Sequence, residues 1–135
     1  MQWPHITAVY LALLALVYAA LAINVVRLRR ENRAAFGDGG NAALRSAIRA
    51  HAHFAEYVPV ITLMVATLEM SGVAAWRVHV LMAALLISRL LHPFGMYAKP
   101  GTPAFRIGRV GGMALTIILL ITCAAAVLSR VWRGA

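Results

Sequence analysis

Four apolar runs, roughly Ile6 to Val26, Phe54 to Leu68, Val78 to Leu91 and Val110 to Val131, take up most of the chain's 135 residues. The hydrocarbon core of a bilayer calls for about 20 mostly apolar residues per spanning helix. The first and last runs meet that length outright, and the middle two reach it only if their polar flanks are helical as well. Composition agrees: 62% of the residues are hydrophobic and 13% charged, against about 45–50% and about 25% in soluble domains. The expected fold class is therefore all-α and integral to the membrane. It is a four-transmembrane-helix bundle filling residues 1–135, with helices at about 4–33, 42–69, 74–95 and 104–132. That leaves no length for a separate soluble domain, so function must sit on the helices or their short connections.

A net charge of +9 would suggest nucleic-acid binding in a soluble chain. Its placement points elsewhere. Arg27, Arg29, Arg30, Arg33, Arg45 and Arg49 flank or occupy the first connection, and Lys99, Arg106 and Arg109 the third. The positive-inside rule puts both basic connections in the cytoplasm and both termini on the opposite side. Arg27, Arg29 and Arg30 follow the first apolar run and no basic residue precedes it, which reads as a membrane anchor rather than a secretion signal. The lone cysteine, Cys123, lies in the apolar fourth run and reads as a buried structural thiol.

Three glycines with Asp38 and Asn41 in "FGDGGN" mark a turn, after which Asn41 is a candidate N-cap for a helix starting at Ala42. "EMSGVAAW" forms the short second connection. In "HPFGMYAKPGTP", Pro93 and Gly95 are expected to end the third helix.

The polar residues of "RAHAHFAEYVP" at 49–59 are unusual at the mouth of an apolar helix. At about 100° per residue, Arg45, Arg49, His53 and Glu56 fall within about 80° of one another, with Tyr57 beside them. His51 points about 160° away from His53, so the two cannot grip one ion. On the third helix Arg89 and His92 share a face inside an apolar run. A charge there costs at least about 2.5–3.5 kcal/mol on insertion scales. Arg89 therefore calls for a partner, and Glu56 is the acid expected at similar depth. Metal binding is not expected, since no two histidines stand four apart on a helix and there is no cysteine cluster. Arg49, Arg89, Arg106 and Arg109 converge on one membrane boundary around a single carboxylate, and this surplus of positive charge suits an anionic ligand.

These residues resemble a known family, the MAPEG proteins (membrane-associated proteins in eicosanoid and glutathione metabolism), and in particular its small bacterial members. "RAHAHFAEYVP" resembles the family's R-x-x-x-N-x-x-E-Y-x-P, "SRLLHPFG" its R-L-x-H motif, "VVRLRRENRAAFGDGG" its basic first loop and "FRIGRVGGMALT" the start of its fourth helix. The resemblance implies a homotrimer in a bacterial inner membrane, with glutathione as bound co-substrate between subunits. Arg29, Arg30, Arg49, His53, Glu56, Tyr57, Arg89, His92 and Tyr97 would line that site, and Arg109 or Arg106 would stabilise the thiolate. His53 replaces the family's usual Asn, and Met96 stands beside Tyr97 where several members carry a tyrosine. The function implied is a glutathione transferase or peroxidase acting on lipophilic electrophiles. The alternative is a non-catalytic membrane binding or scaffold protein of the same fold. A small multidrug-type transporter fits less well, because its essential glutamate would lie in the first helix, which here carries no acid within its apolar run.

Overall fold

The computed structural model describes residues 3–134 as helices joined by short connections. Helix α1 spans His5–Glu31, α2 Ala42–Met70, α3 Ala75–Tyr97 and α4 Gly112–Gly134, and a seven-residue π-helix, Phe105–Gly111, leads into α4. Among the described residues, α1, α3 and the continuous Phe105–Arg133 helix are long and apolar enough to cross a membrane. The fourth, α2, has 29 residues, but it carries Arg45, Arg49, Glu56 and Glu69 along its length. Helix α1 packs on α2 and α3, and α4 packs on the same two from the other side.

The core is a single cluster in which Leu14 of α1 meets Phe54, Val58, Ile61 and Val65 of α2, Val78, Met82 and Leu85 of α3, and Leu119 and Cys123 of α4. Around it the usual soluble pattern is reversed. Leu16, Ile23, Leu63, Ile118, Ile121 and Leu128 are all more than half exposed, a belt suited to lipid or to neighbouring subunits. In lipid, apolar burial drives helices together only weakly, so close backbone approach and polar contacts must do more of the holding.

The ends of the helices follow local chemistry. Asn41 does cap α2, its Oδ1 accepting from the Leu44 N–H at 2.9 Å. The turn before it uses Gly37, Gly39 and Gly40 at positive φ. There Asp38 accepts from Gly40 N–H and from Arg45 Nε. The Arg45 contact, helped by the Gly40 N–H, holds the Asp38 carboxyl below its ordinary range. At the other end of the molecule, Glu69 of α2 caps α1 across space. It accepts from the N–H groups of Ile6 at 2.8 Å and Thr7 at 2.9 Å, and from Thr7 Oγ1 at 2.6 Å. These satisfy donors that every helix start leaves open.

The third helix does not end at Pro93 and Gly95 as expected but runs through both to Tyr97. Pro93 removes one helical N–H, a local loss that the turns on either side outlast. Gly95 serves packing rather than termination. A β-carbon at Gly95 would collide with the backbone of Gly108 and Arg109, and one at Gly108 would sit 2.7 Å from Gly95 Cα and 2.8 Å from the Leu91 carbonyl. The two glycines thus let α3 and the π-segment cross backbone to backbone. Replacing either by alanine should cost about 1–3 kcal/mol or more, read as a lowered thermal midpoint in detergent. Gly111→Ala, whose new methyl would meet its nearest neighbour at an ordinary 3.5 Å, should change it little.

Candidate functional site

The first turns of α2, the last turns of α3 and the π-segment enclose a cavity of about 300 Å³. That is the lower end of the range for small-molecule sites. Arg49 and His53 enter from α2, His92 and Met96 from α3, and Phe105 and Arg109 from the π-segment, with Val110, Met113 and Ala114 completing an apolar wall.

Each polar side chain is aimed by its local backbone. One helical turn separates Arg49 from His53, so both face inward. His51, on the opposite face, stacks on Tyr18 of α1 with ring centroids 4.6 Å apart. Arg109 reaches the cavity because the π-segment spaces its turns by i to i+5 hydrogen bonds instead of i to i+4. Its guanidinium lies 5.3 Å from the centroid of the Phe105 ring, a cation–π contact that steadies it. Three glycines, Gly108, Gly111 and Gly112, weaken α-helical preference in this stretch, and Gly108 is the one pressed against Gly95.

His53 and His92 face each other across the cavity wall, stacked at 5.2 Å between ring centroids. His92 is 2% exposed. Neither its Nδ1 nor its Nε2 has a hydrogen-bond partner, and the buried Nδ1 of His53 also lacks one. Buried polar atoms without partners are uncommon in folded proteins and carry a desolvation cost. Their concentration on one cavity wall marks a place where a ligand's polar groups would relieve that cost. Among the described residues no group of three His, Cys, Asp or Glu side chains could hold a metal ion.

Behind this wall lies Arg89, 1% exposed. The expected ion pair with Glu56 is absent: Glu56 points outward and is exposed, and the only salt bridges among the described residues are Arg27–Glu31 and Arg45–Asp38. Arg89 instead donates to neutral oxygens. Its terminal nitrogens reach Thr116 Oγ1 of α4 and, at 3.4 Å, the His53 carbonyl of α2, while Nε reaches Ser88 Oγ at 3.3 Å. A carboxylate was the stronger Coulombic expectation, but the azimuth of α2 turns Glu56 away and α4 supplies a hydroxyl at the right depth.

The remaining sequence candidates are dispersed. Tyr57 is half-buried beside His53 and packs on the core. Arg29 donates to the carbonyls of Ala34, Ala35 and Gly37, so it organises the first connection. Arg29 and Arg30 line a separate hollow there. Tyr97 accepts from Asn24 of α1 at 2.9 Å, and Arg106 is exposed outside the cavity. Phe105 and Thr116 were not foreseen. Thr116 had a signal in the sequence: it lies seven residues after Arg109, near the same helical face, in an otherwise apolar run.

The MAPEG family profile matches residues 7–129 of the chain. Two relatives, each named "Inner membrane protein YecN", from Escherichia coli K12 and Escherichia coli O6:H1, are 37% identical over 127 residues, covering 94% of this chain and 91% of their own length. No solved structure matches.

The Arg89 clamp gives a direct test. Thr116→Val keeps the shape of the side chain but strands a buried charged donor, and should destabilise by about 2–3 kcal/mol. Thr116→Ser, which keeps the acceptor, should lose much less. Thermal unfolding of the two variants in the same detergent separates the hydroxyl's contribution from that of its methyl.

Proposed function

The chain belongs to the MAPEG family, and on that premise we propose that it is a glutathione-binding integral membrane protein, a transferase or peroxidase acting on lipophilic electrophiles. The observation that carries this reading is the cavity in which Arg49, Arg109 and the unpartnered nitrogens of His53 and His92 converge beside an apolar wall. Glutathione is a net anion with a nucleophilic sulfur. Two guanidinium groups and two imidazoles supply the charge and hydrogen bonds such a ligand needs, and Val110, exposed on the outer side of the π-segment, borders the route from lipid.

The mechanism is one of charge placement. A free thiol titrates near about 8.5, so its thiolate is a minority at neutral pH. Arg109, held over the Phe105 ring, is the cation we assign to the sulfur; Arg106, exposed outside the cavity, is not. Lowering the thiol's pKa by about two units corresponds to about 2.7 kcal/mol of preferential thiolate binding. The thiolate then attacks an electrophile arriving from the bilayer, and the protein contributes position and field rather than a nucleophile of its own.

We further propose that all four helices span a bacterial inner membrane, with both basic connections cytoplasmic and both termini opposite, and that three copies assemble. The outward-facing Glu56 and the exposed apolar belt would then meet a neighbouring subunit. A second reading, a non-catalytic binding or scaffold protein, is favoured by one feature of the cavity: Met96 stands in its wall and none of its lining side chains carries a hydroxyl.

Titration of the detergent-solubilised protein with glutathione, followed by calorimetry and ultraviolet thiolate absorbance, separates these readings. Bound glutathione should ionise about two pH units below the free thiol. In Arg109→Ala the thiolate signal should fall about 25-fold at about pH 7, as a pKa returning from about 6.5 to about 8.5 requires, whereas Arg106→Ala should keep it. Binding without thiolate supports the scaffold reading, and no binding overturns both.

A further inference from the structure

A second groove, of about 480 Å³, lies at the opposite end of the molecule between the first turns of α3 and the last turns of α4. Three arginines line it, Arg77, Arg130 and Arg133, together with Trp76, the hydroxyls of Thr122 and Ser129, and apolar side chains that include Leu81 and Ala126. The Arg77 guanidinium lies 5.3 Å from the centroid of the Trp76 ring.

Among the described residues these arginines have no ion-pair partner. Glu31 pairs with Arg27 and Asp38 with Arg45, Glu69 caps α1, and Glu56 lies one turn beyond His53 near the middle of α2, outside the groove. Among the described residues no carboxylate bridges to Arg77, Arg130 or Arg133. Helix α3 adds to the positive field, because its start has no side-chain cap and no acid in its first turn. With the basic connections cytoplasmic, these arginines stand on the side where membrane proteins usually carry few cations. A cluster of three there, beside the apolar side chains of Val80, Leu81 and Ala126 and an exposed tryptophan, fits a ligand with an anionic head and an apolar tail.

We propose that this groove holds one anionic phospholipid of the adjacent leaflet, its phosphate among Arg77, Arg130, Arg133 and the open start of α3, and one acyl chain along Leu81 and Ala126. Guanidinium forks match phosphate oxygens in geometry, and a tryptophan at headgroup depth marks the boundary where such a phosphate sits. The apolar side chains select a lipid over free phosphate.

Native mass spectrometry of the full chain in mild detergent tests this with three probes: phosphatidylglycerol, phosphatidylcholine and inorganic phosphate. Phosphatidylglycerol should bind saturably at one molecule per chain, and phosphatidylcholine at least about fivefold more weakly. Each arginine exchanged for glutamine should lower phosphatidylglycerol retention by about fivefold, and Arg77→Gln/Arg130→Gln/Arg133→Gln together by more than tenfold on the same scale. Arg27→Gln/Arg30→Gln, equal in kind but at the other end, should leave it unchanged. Ala126→Phe fills the groove with the charges intact and should also displace the lipid, which covers the case in which the triple variant does not fold. Equal retention of phosphatidylcholine, competition by inorganic phosphate at matched concentration, or undiminished retention in Ala126→Phe would each overturn the proposal.

Discussion

A guanidinium sealed inside a membrane protein has to find hydrogen-bond acceptors within reach, and the ones it finds decide how the helices around it are turned. Arg89 takes a carbonyl from α2, a hydroxyl from its own helix and a hydroxyl from α4. Three helices are thereby fixed in azimuth about one side chain. The His53 carbonyl is one of its acceptors, so the imidazole of the same residue is held where it stacks on His92. None of the acceptors is charged. The positive charge of Arg89 therefore persists behind the cavity and adds to that of Arg49 and Arg109 in a region where low dielectric lengthens its reach. An ion pair with Glu56 would have cancelled it.

The second determinant is steric. Lipid offers α3 and the π-segment little hydrophobic reason to approach, and the pair Gly95 and Gly108 supplies another, backbone contact close enough for dispersion and dipolar interactions to count. The crossing lies one turn beyond His92 and one residue before Arg109. The separation between those two side chains is thus set by main chain rather than by flexible side-chain packing, which suits a site that must place a cation against a ligand atom.

Much of this could be read from the chain itself. Apolar run length and the basic connections gave the all-helical membrane character, "FGDGGN" located the first turn and its Asn41 cap, and helical phase alone separated His51 from His53. Arg49, His53, His92 and Arg109, each marked in the sequence by charge and helical phase, line one cavity. What stayed hidden shares a physical cause. Periodicity fixes where a side chain points about its own helix axis but not which neighbour lies there, so Thr116 rather than Glu56 met Arg89. Pro93 and Gly95 carried the statistics of a helix end, yet a glycine needed for a close crossing looks the same in sequence as one needed for a turn. Gly108, Gly111 and Gly112 weaken the α-helix in the π-segment, but three glycines do not by themselves distinguish a π-turn from a break.

That segment has a mechanical property of its own. A π-turn holds one residue more than an α-turn, and the surplus can be handed along the helix without breaking the chain's overall helical course. Passing it beyond Arg109 would swing that side chain by about 100° about the helix axis, but the same turn would carry Gly108 out of its crossing with Gly95, where a β-carbon finds no room. The surplus residue is thus pinned between the glycine crossing and the tethered Thr116, and the cation of the cavity stands on a register that cannot shift without parting the helices.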